Sequence, residues 1–115
     1  MLLNFGHTFG HALEVLGNFS RYSHGEAVAW GMRRALLAGL ELGITPKEFV
    51  KRALALLELY SFSDFSSNLD KPAFLAALQS DKKKRSSQVR FVLLRGVGNY
   101  QLTHLSNALI ESLIE

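Results

Sequence analysis

Apolar residues recur along most of the chain at helical spacing. Over residues 8–16, Phe9, Ala12, Leu13 and Leu16 repeat every three to four positions and Gly17-Asn18 follows as a stop signal, which predicts a short first helix. Residues 25–42 are rich in Ala, Leu and Val, carry Trp30 and Met32, and are apolar nearly all round. A helix of that kind is expected at the centre of the domain, with Trp30 and Met32 as packing residues. Gly43 supplies a left-handed C-terminal position, and Thr45-Pro46-Lys47-Glu48 reads as an N-cap, a proline at the first helical position and a capping-box glutamate. The helix so started carries Phe49, Val50, Ala53, Leu54, Leu56 and Leu57 before a polar loop over residues 61–68.

Asp70 is placed to cap a fourth helix through Pro72, Phe74, Leu75 and Leu78. The run Lys82-Lys83-Lys84-Arg85 reads, on charge alone, as a solvated loop. Val89-Arg90-Phe91-Val92-Leu93-Leu94 is β-branched and aromatic, and Gly96-Val97-Gly98-Asn99 separates it from Tyr100-Gln101-Leu102-Thr103. This predicts a small β-hairpin or two edge strands near residues 89–103. Ser106 can cap a last helix with Ala108, Leu109, Leu113 and Ile114 on its apolar face. The fold class is therefore mainly α with a small β element, and 115 residues suffice for one core but not two.

Composition narrows the chemistry. With no cysteine in the chain, disulfides, thiolate zinc sites and cysteine nucleophiles are excluded, and any metal must be held by His, Asp or Glu. The opening residues form no signal peptide and no stretch reaches the roughly 18 apolar residues of a membrane span, so a soluble, cytoplasmic protein is expected. Much of the formal charge of +3 comes from Lys82 to Arg85, with Arg90 and Arg95 nearby. Such a local cluster suggests an anion site rather than a nucleic-acid surface.

Three of the four histidines lie within the first 24 positions. His7 and His11, four apart, share one helical face, and His24 opens the second helix, where the loop before it can bring it back toward them. Neutral imidazoles suit Zn²⁺, but a zincin would need Glu after the first histidine, where Thr8 stands. Spacing by itself leaves open a pair of hydrogen-bonded structural imidazoles. Glu14 and Glu26 can each orient an imidazole or simply sit on a helix face, Glu26 being the stronger candidate. His104 stands apart, and a surface or capping role is expected for it.

The context of these histidines is more specific. Asn4-Phe5-Gly6-His7-Thr8-Phe9-Gly10-His11-Ala12-Leu13-Glu14, then His24-Gly25-Glu26-Ala27-Val28-Ala29-Trp30-Gly31-Met32, then Ser80-Asp81-Lys82-Lys83 with Arg90 to Leu94 after it, closely resembles 3-dehydroquinate synthase over nearly all of the chain. The resemblance implies the helical C-terminal domain of that fold, with the active site facing an N-terminal NAD-binding α/β domain that is not in this sequence. It implies that His7 and His24 are two of three ligands to Zn²⁺ or Co²⁺, the third being a glutamate upstream of Met1. By the same matching, Asn4 and His11 contact substrate hydroxyl or carboxylate groups, His11 takes part in proton transfer, and Lys82 or Lys83 contacts phosphate, Lys82 being preferred.

The implied activity is that of a carbon–oxygen lyase of the shikimate pathway, which supplies the aromatic amino acids. It converts 3-deoxy-D-arabino-heptulosonate 7-phosphate to 3-dehydroquinate and phosphate through transient oxidation by NAD⁺. No dinucleotide fingerprint is present, since Gly96-Val97-Gly98 lacks the third glycine and the helix start and reads as a turn. The chain is therefore expected to bind no NAD⁺ alone and to be inactive until its N-terminal domain completes it, with a second copy as a candidate partner. The alternatives are another sugar phosphate cyclase, of the 2-deoxy-scyllo-inosose or valiolone type, and a metal-binding or interaction module without catalysis. Iron-containing alcohol and glycerol dehydrogenases are more distant alternatives.

Overall fold

The small side chains of the second helix let four other elements close on it. The computed structural model describes residues 5–17, 23–60, 69–85 and 91–114, with backbone alone over 81–85. In chain order the elements are α1 (His7–Leu16), α2 (His24–Glu41), α3 (Lys47–Leu59), α4 (Lys71–Arg85), β1 (Phe91–Gly96), β2 (Asn99–Thr103) and α5 (Asn107–Leu113). α1, α3, β1 and α5 pack on α2, and α4 packs on α1. Ala27, Ala29, Gly31, Ala35, Ala38 and Gly39 of α2 are buried, as expected of a helix apolar on nearly every side.

A capping box starts α2. The Ser23 hydroxyl accepts from the Glu26 N–H at 3.1 Å, and the Glu26 carboxylate accepts from the Ser23 N–H at 2.9 Å. This satisfies two otherwise unpaired donors. At the other end Gly43 adopts φ 71°, and the N–H groups of Ile44 and Thr45 both donate to the Gly39 carbonyl.

The core is aromatic. The Phe9 ring lies 4.7 Å from Phe91 and 6.3 Å from Phe74, and Trp30 meets Phe74 edge-on at 5.5 Å. All four are essentially buried, so each contributes a large apolar area as well as a favourable ring geometry. The buried Arg34 lays its guanidinium 4.3 Å from the Trp30 ring centre, within cation–π range. Met32 is half-buried.

The hairpin is antiparallel, with Phe91 opposite Thr103 and Leu94 opposite Tyr100, and an irregularity between Leu94 and Gly96. Val97 and Gly98 form the turn, where Gly98 has φ 72° and so supplies the left-handed residue that a tight hairpin needs. Phe91, Val92 and Leu93 are buried while β2 is half-buried to exposed.

Four expectations need correction. Thr45 does not cap α3. It is buried, its Oγ1 donates to the Leu94 carbonyl at 2.6 Å, and Pro46 takes the N-cap position without a side-chain bond. A half-buried acceptor on β1 claims the hydroxyl that the local sequence offered to the helix. Lys82 to Arg85 are not a loop: they form the end of α4, because long, straight side chains carry good helix propensity. Asp70 does cap that helix, accepting from the Ala73 N–H at 3.1 Å. At α5, Leu109 and Leu113 pack against the core and the C-cap Ile114 is buried, as expected, but Ala108 is exposed and Ile110 takes its place on the buried face. Ser106 caps α5 as expected. On α3 only Val50 is buried, and Leu56 is exposed.

The loops expected over residues 18–22 and 61–68, and Val89 and Arg90 before β1, lie outside the described residues. No helix among the described residues is long and apolar enough to cross a membrane.

Candidate metal centre

Three glycines determine how α1 and α2 meet. A Cβ on Gly31 would overlap the Gly6 carbonyl oxygen and stand 2.8 Å from the Gly10 nitrogen, and one on Gly10 would stand 2.9 Å from the Ala27 carbonyl oxygen. Gly6, at φ 79°, would bring a Cβ to 2.8 Å from the Met32 nitrogen. The two backbones are therefore in direct contact. Gly6 adds the left-handed turn from which α1 starts.

That crossing brings His7, first residue of α1, beside His24, first residue of α2, with ring centres 5.7 Å apart and planes tilted by 59°. Each ring is held through Nδ1. His7 Nδ1 lies 3.2 Å from the Phe5 carbonyl oxygen, and His24 Nδ1 lies 3.2 Å from Glu14 Oε1. A carbonyl or carboxylate oxygen can only accept, so Nδ1 donates in both cases and a neutral ring carries its lone pair on Nε2. Two imidazoles each bound through one nitrogen to the same zinc stand about 5 Å apart between centres. The pair fits a shared metal ion in separation, donor type and tautomer. Among the described residues no group of three His, Asp or Glu side chains is assembled.

Glu26 is not the carboxylate that orients an imidazole, as its oxygen serves the Ser23 N–H. Glu14 is, because it stands seven positions after His7 on the same face of α1 and across from His24. Sequence reasoning ranked the two the other way. The position of Glu14 at i+7 was legible, but its reach to His24 depends on the glycine-mediated crossing.

His11 lies one turn beyond His7 on α1 and is exposed. His104 is exposed between β2 and α5. Asn4 lies outside the described residues, and of Lys82 and Lys83 only the backbone is described, at the end of α4. Position 82 continues the row of the buried Phe74 and Leu78 along α4, at i+8 and i+4, whereas position 83 lies about 100° further round.

The family model for the 3-dehydroquinate synthase C-terminal domain matches residues 1–84. The 3-dehydroquinate synthase of Thermoanaerobacter pseudethanolicus is 41% identical over 102 residues, covering 89% of this chain and 29% of that protein. The 3-dehydroquinate synthase of Halorhodospira halophila is 39% identical, covering 99% of this chain and 33% of that protein. The chain thus spans about a third of the length of these curated relatives. Among solved structures, 2-deoxy-scyllo-inosose synthase complexed with carbaglucose-6-phosphate, NAD⁺ and Co²⁺ is similar at TM-score 0.84 and 28% identity, over 96% of this chain and 33% of that one. The 2-epi-5-epi-valiolone synthase of Streptomyces hygroscopicus, with NAD⁺ and Zn²⁺ bound, shares the fold at TM-score 0.85 and 24% identity, over 97% of this chain and 31% of that one. By its motifs, its helical architecture and these similarities, the chain belongs to the 3-dehydroquinate synthase family and corresponds to its C-terminal domain.

Proposed function

We propose that this chain supplies the metal- and substrate-binding half of a cytoplasmic 3-dehydroquinate synthase, a phosphate-eliminating lyase of the shikimate pathway. The observation that carries the proposal is the pair His7 and His24, with both Nδ1 atoms engaged and the rings 5.7 Å apart. In this reading His7 and His24 would hold one Zn²⁺ or Co²⁺, with a glutamate of the N-terminal NAD-binding domain as the third ligand. When bound, the metal supplies Lewis acidity at substrate hydroxyl oxygens and NAD⁺ a reversible hydride acceptor.

The chain's own residues do the rest of their share by binding and proton transfer. Asn4 and His11 hold substrate hydroxyl or carboxylate oxygens, and the His11 imidazole, one turn from His7, accepts and returns a proton at the reacting centre. Lys82, on the α4 row that includes Phe74 and Leu78, holds the phosphate of the heptulosonate by charge-assisted hydrogen bonds and stabilises it as it leaves. Lys83, on the neighbouring face, is the second choice. Without the N-terminal domain the cycle has no hydride acceptor, so the chain alone does not turn over.

Titration of zinc into the chain by calorimetry tests the metal pair. Binding should be lost or weakened by at least tenfold in both His7→Ala and His24→Ala and should persist in His11→Ala. Unchanged affinity in the first two variants would refute the shared site. A related cyclase is the second reading, supported by the similarity to 2-deoxy-scyllo-inosose synthase. The higher identity, 41% against 28%, favours dehydroquinate synthase.

A further inference from the structure

We infer that Glu14 is the positioning residue of this centre, the side chain that fixes the ring and tautomer of His24 so that its Nε2 is presented to a metal ion. The inference rests on reading His7 and His24 as a metal pair and adds a residue to it.

The two imidazoles are held by different means. His7 leans on a backbone carbonyl two residues away, that of Phe5, at the left-handed turn that begins α1. Its orientation is therefore set by the main chain. His24 has no comparable neighbour in its own helix: it occupies the first position of α2, its side chain is 67% exposed, and its Nδ1 bond runs ten residues back to Glu14. An imidazole that exposed samples several rotamers and both tautomers unless something holds it. The Glu14 side chain is only 15% exposed and comes from the inner part of α1, whose neighbours Ala12 and Leu13 are buried. The less mobile partner thus orients the more mobile one.

The face of α1 is laid out for this. His7, His11 and Glu14 fall at i, i+4 and i+7, one side of a helix. The other acidic residue near His24, Glu26, is committed to the Ser23 N–H. An acceptor-only carboxylate at 3.2 Å selects the form of His24 protonated at Nδ1, and such partners also raise the donor strength of the opposite nitrogen.

The test uses the chain with ¹⁵N-labelled histidine, free of metal, at about pH 8.5, above the ordinary imidazole range. Side-chain ¹H–¹⁵N correlations report the tautomer of His24 directly. The native chain should show His24 mainly protonated at Nδ1. Glu14→Met, which keeps the length of the side chain and removes the acceptor, should shift His24 toward the Nε2-protonated form and leave His7 unchanged. Glu14→Gln, whose amide oxygen still accepts, should restore the native tautomer. Zinc affinity should fall about 10- to 100-fold in Glu14→Met and less in Glu14→Gln.

An unchanged His24 tautomer in Glu14→Met, or native zinc affinity in that variant, would overturn the inference. If the native chain bound no zinc while the tautomer shifted as expected, the metal reading would fall and the orienting role of Glu14 would stand. Thermal melts establish that each variant is folded, and Glu14→Ala supplies a second truncation if Glu14→Met is not.

Discussion

Gly31 has no room for a side chain because Gly6 presents its carbonyl oxygen there: a methyl group at 31 would overlap that oxygen and crowd the Gly10 nitrogen at 2.8 Å. Backbone atoms, which have no rotamers to yield, form the contact. Gly31→Ala must therefore push α1 away from α2. The expected cost is about 1–3 kcal/mol or more, seen as an earlier midpoint in urea. Zinc affinity should fall with it, since His7 and His24 stand on the two helices being separated. A variant that melts and binds zinc like the native chain would contradict this account.

Thr45 ties the corner between α2 and α3 to the hairpin through its hydroxyl bond to Leu94. Thr45→Val keeps the shape and removes the donor. A loss of about 1–2 kcal/mol is expected in denaturant melts. Thr45→Ser, which retains the hydroxyl, should lose less, and the order of the two variants is the measurement that matters.

Ser23 lies next to His24 yet serves the helix alone, accepting from the Glu26 N–H. Ser23→Ala should cost about 1 kcal/mol of stability. Zinc affinity measured well below the melting temperature should be unchanged. A large loss of zinc binding would mean that the cap and the imidazole are coupled.

Phe74 meets both Phe9 and Trp30 and is fully buried. Phe74→Ala opens a cavity between α4 and the α1–α2 pair. A destabilisation of about 3–5 kcal/mol is expected, and calorimetric melting will report it.

Two stretches with the same local signature show what the sequence could and could not reveal. Ser23-His24-Gly25-Glu26 and Thr45-Pro46-Lys47-Glu48 both have a hydroxyl residue three positions before a glutamate at a helix start. The first forms a complete capping box, whereas the second gives its hydroxyl to a strand 49 residues away. Local pattern is decisive only while no partner distant in sequence competes. Helix positions and the hairpin followed from periodicity and turn residues for the same reason: they depend on neighbours in sequence.

The site divides along that line too. The candidate pair His7 and His24 stood out through its motifs, and Gly6, Gly10 and Gly31 stood in those motifs without an evident purpose. Their role as the contact surface of two helices required the crossing itself. So did the exchange of parts between Glu14 and Glu26, because which carboxylate faces His24 is a property of two helices and not of either one.

The Thr45–Leu94 bond has a practical consequence. With 18 residues, α2 is about 27 Å long, carrying His24 at its first residue and leading into the Thr45 corner at its last. The hairpin turn beyond Leu94, where Val97 is 92% exposed, lies toward the opposite end of that rod. A fluorophore or affinity handle attached at the turn would report on the molecule while leaving the paired imidazoles undisturbed.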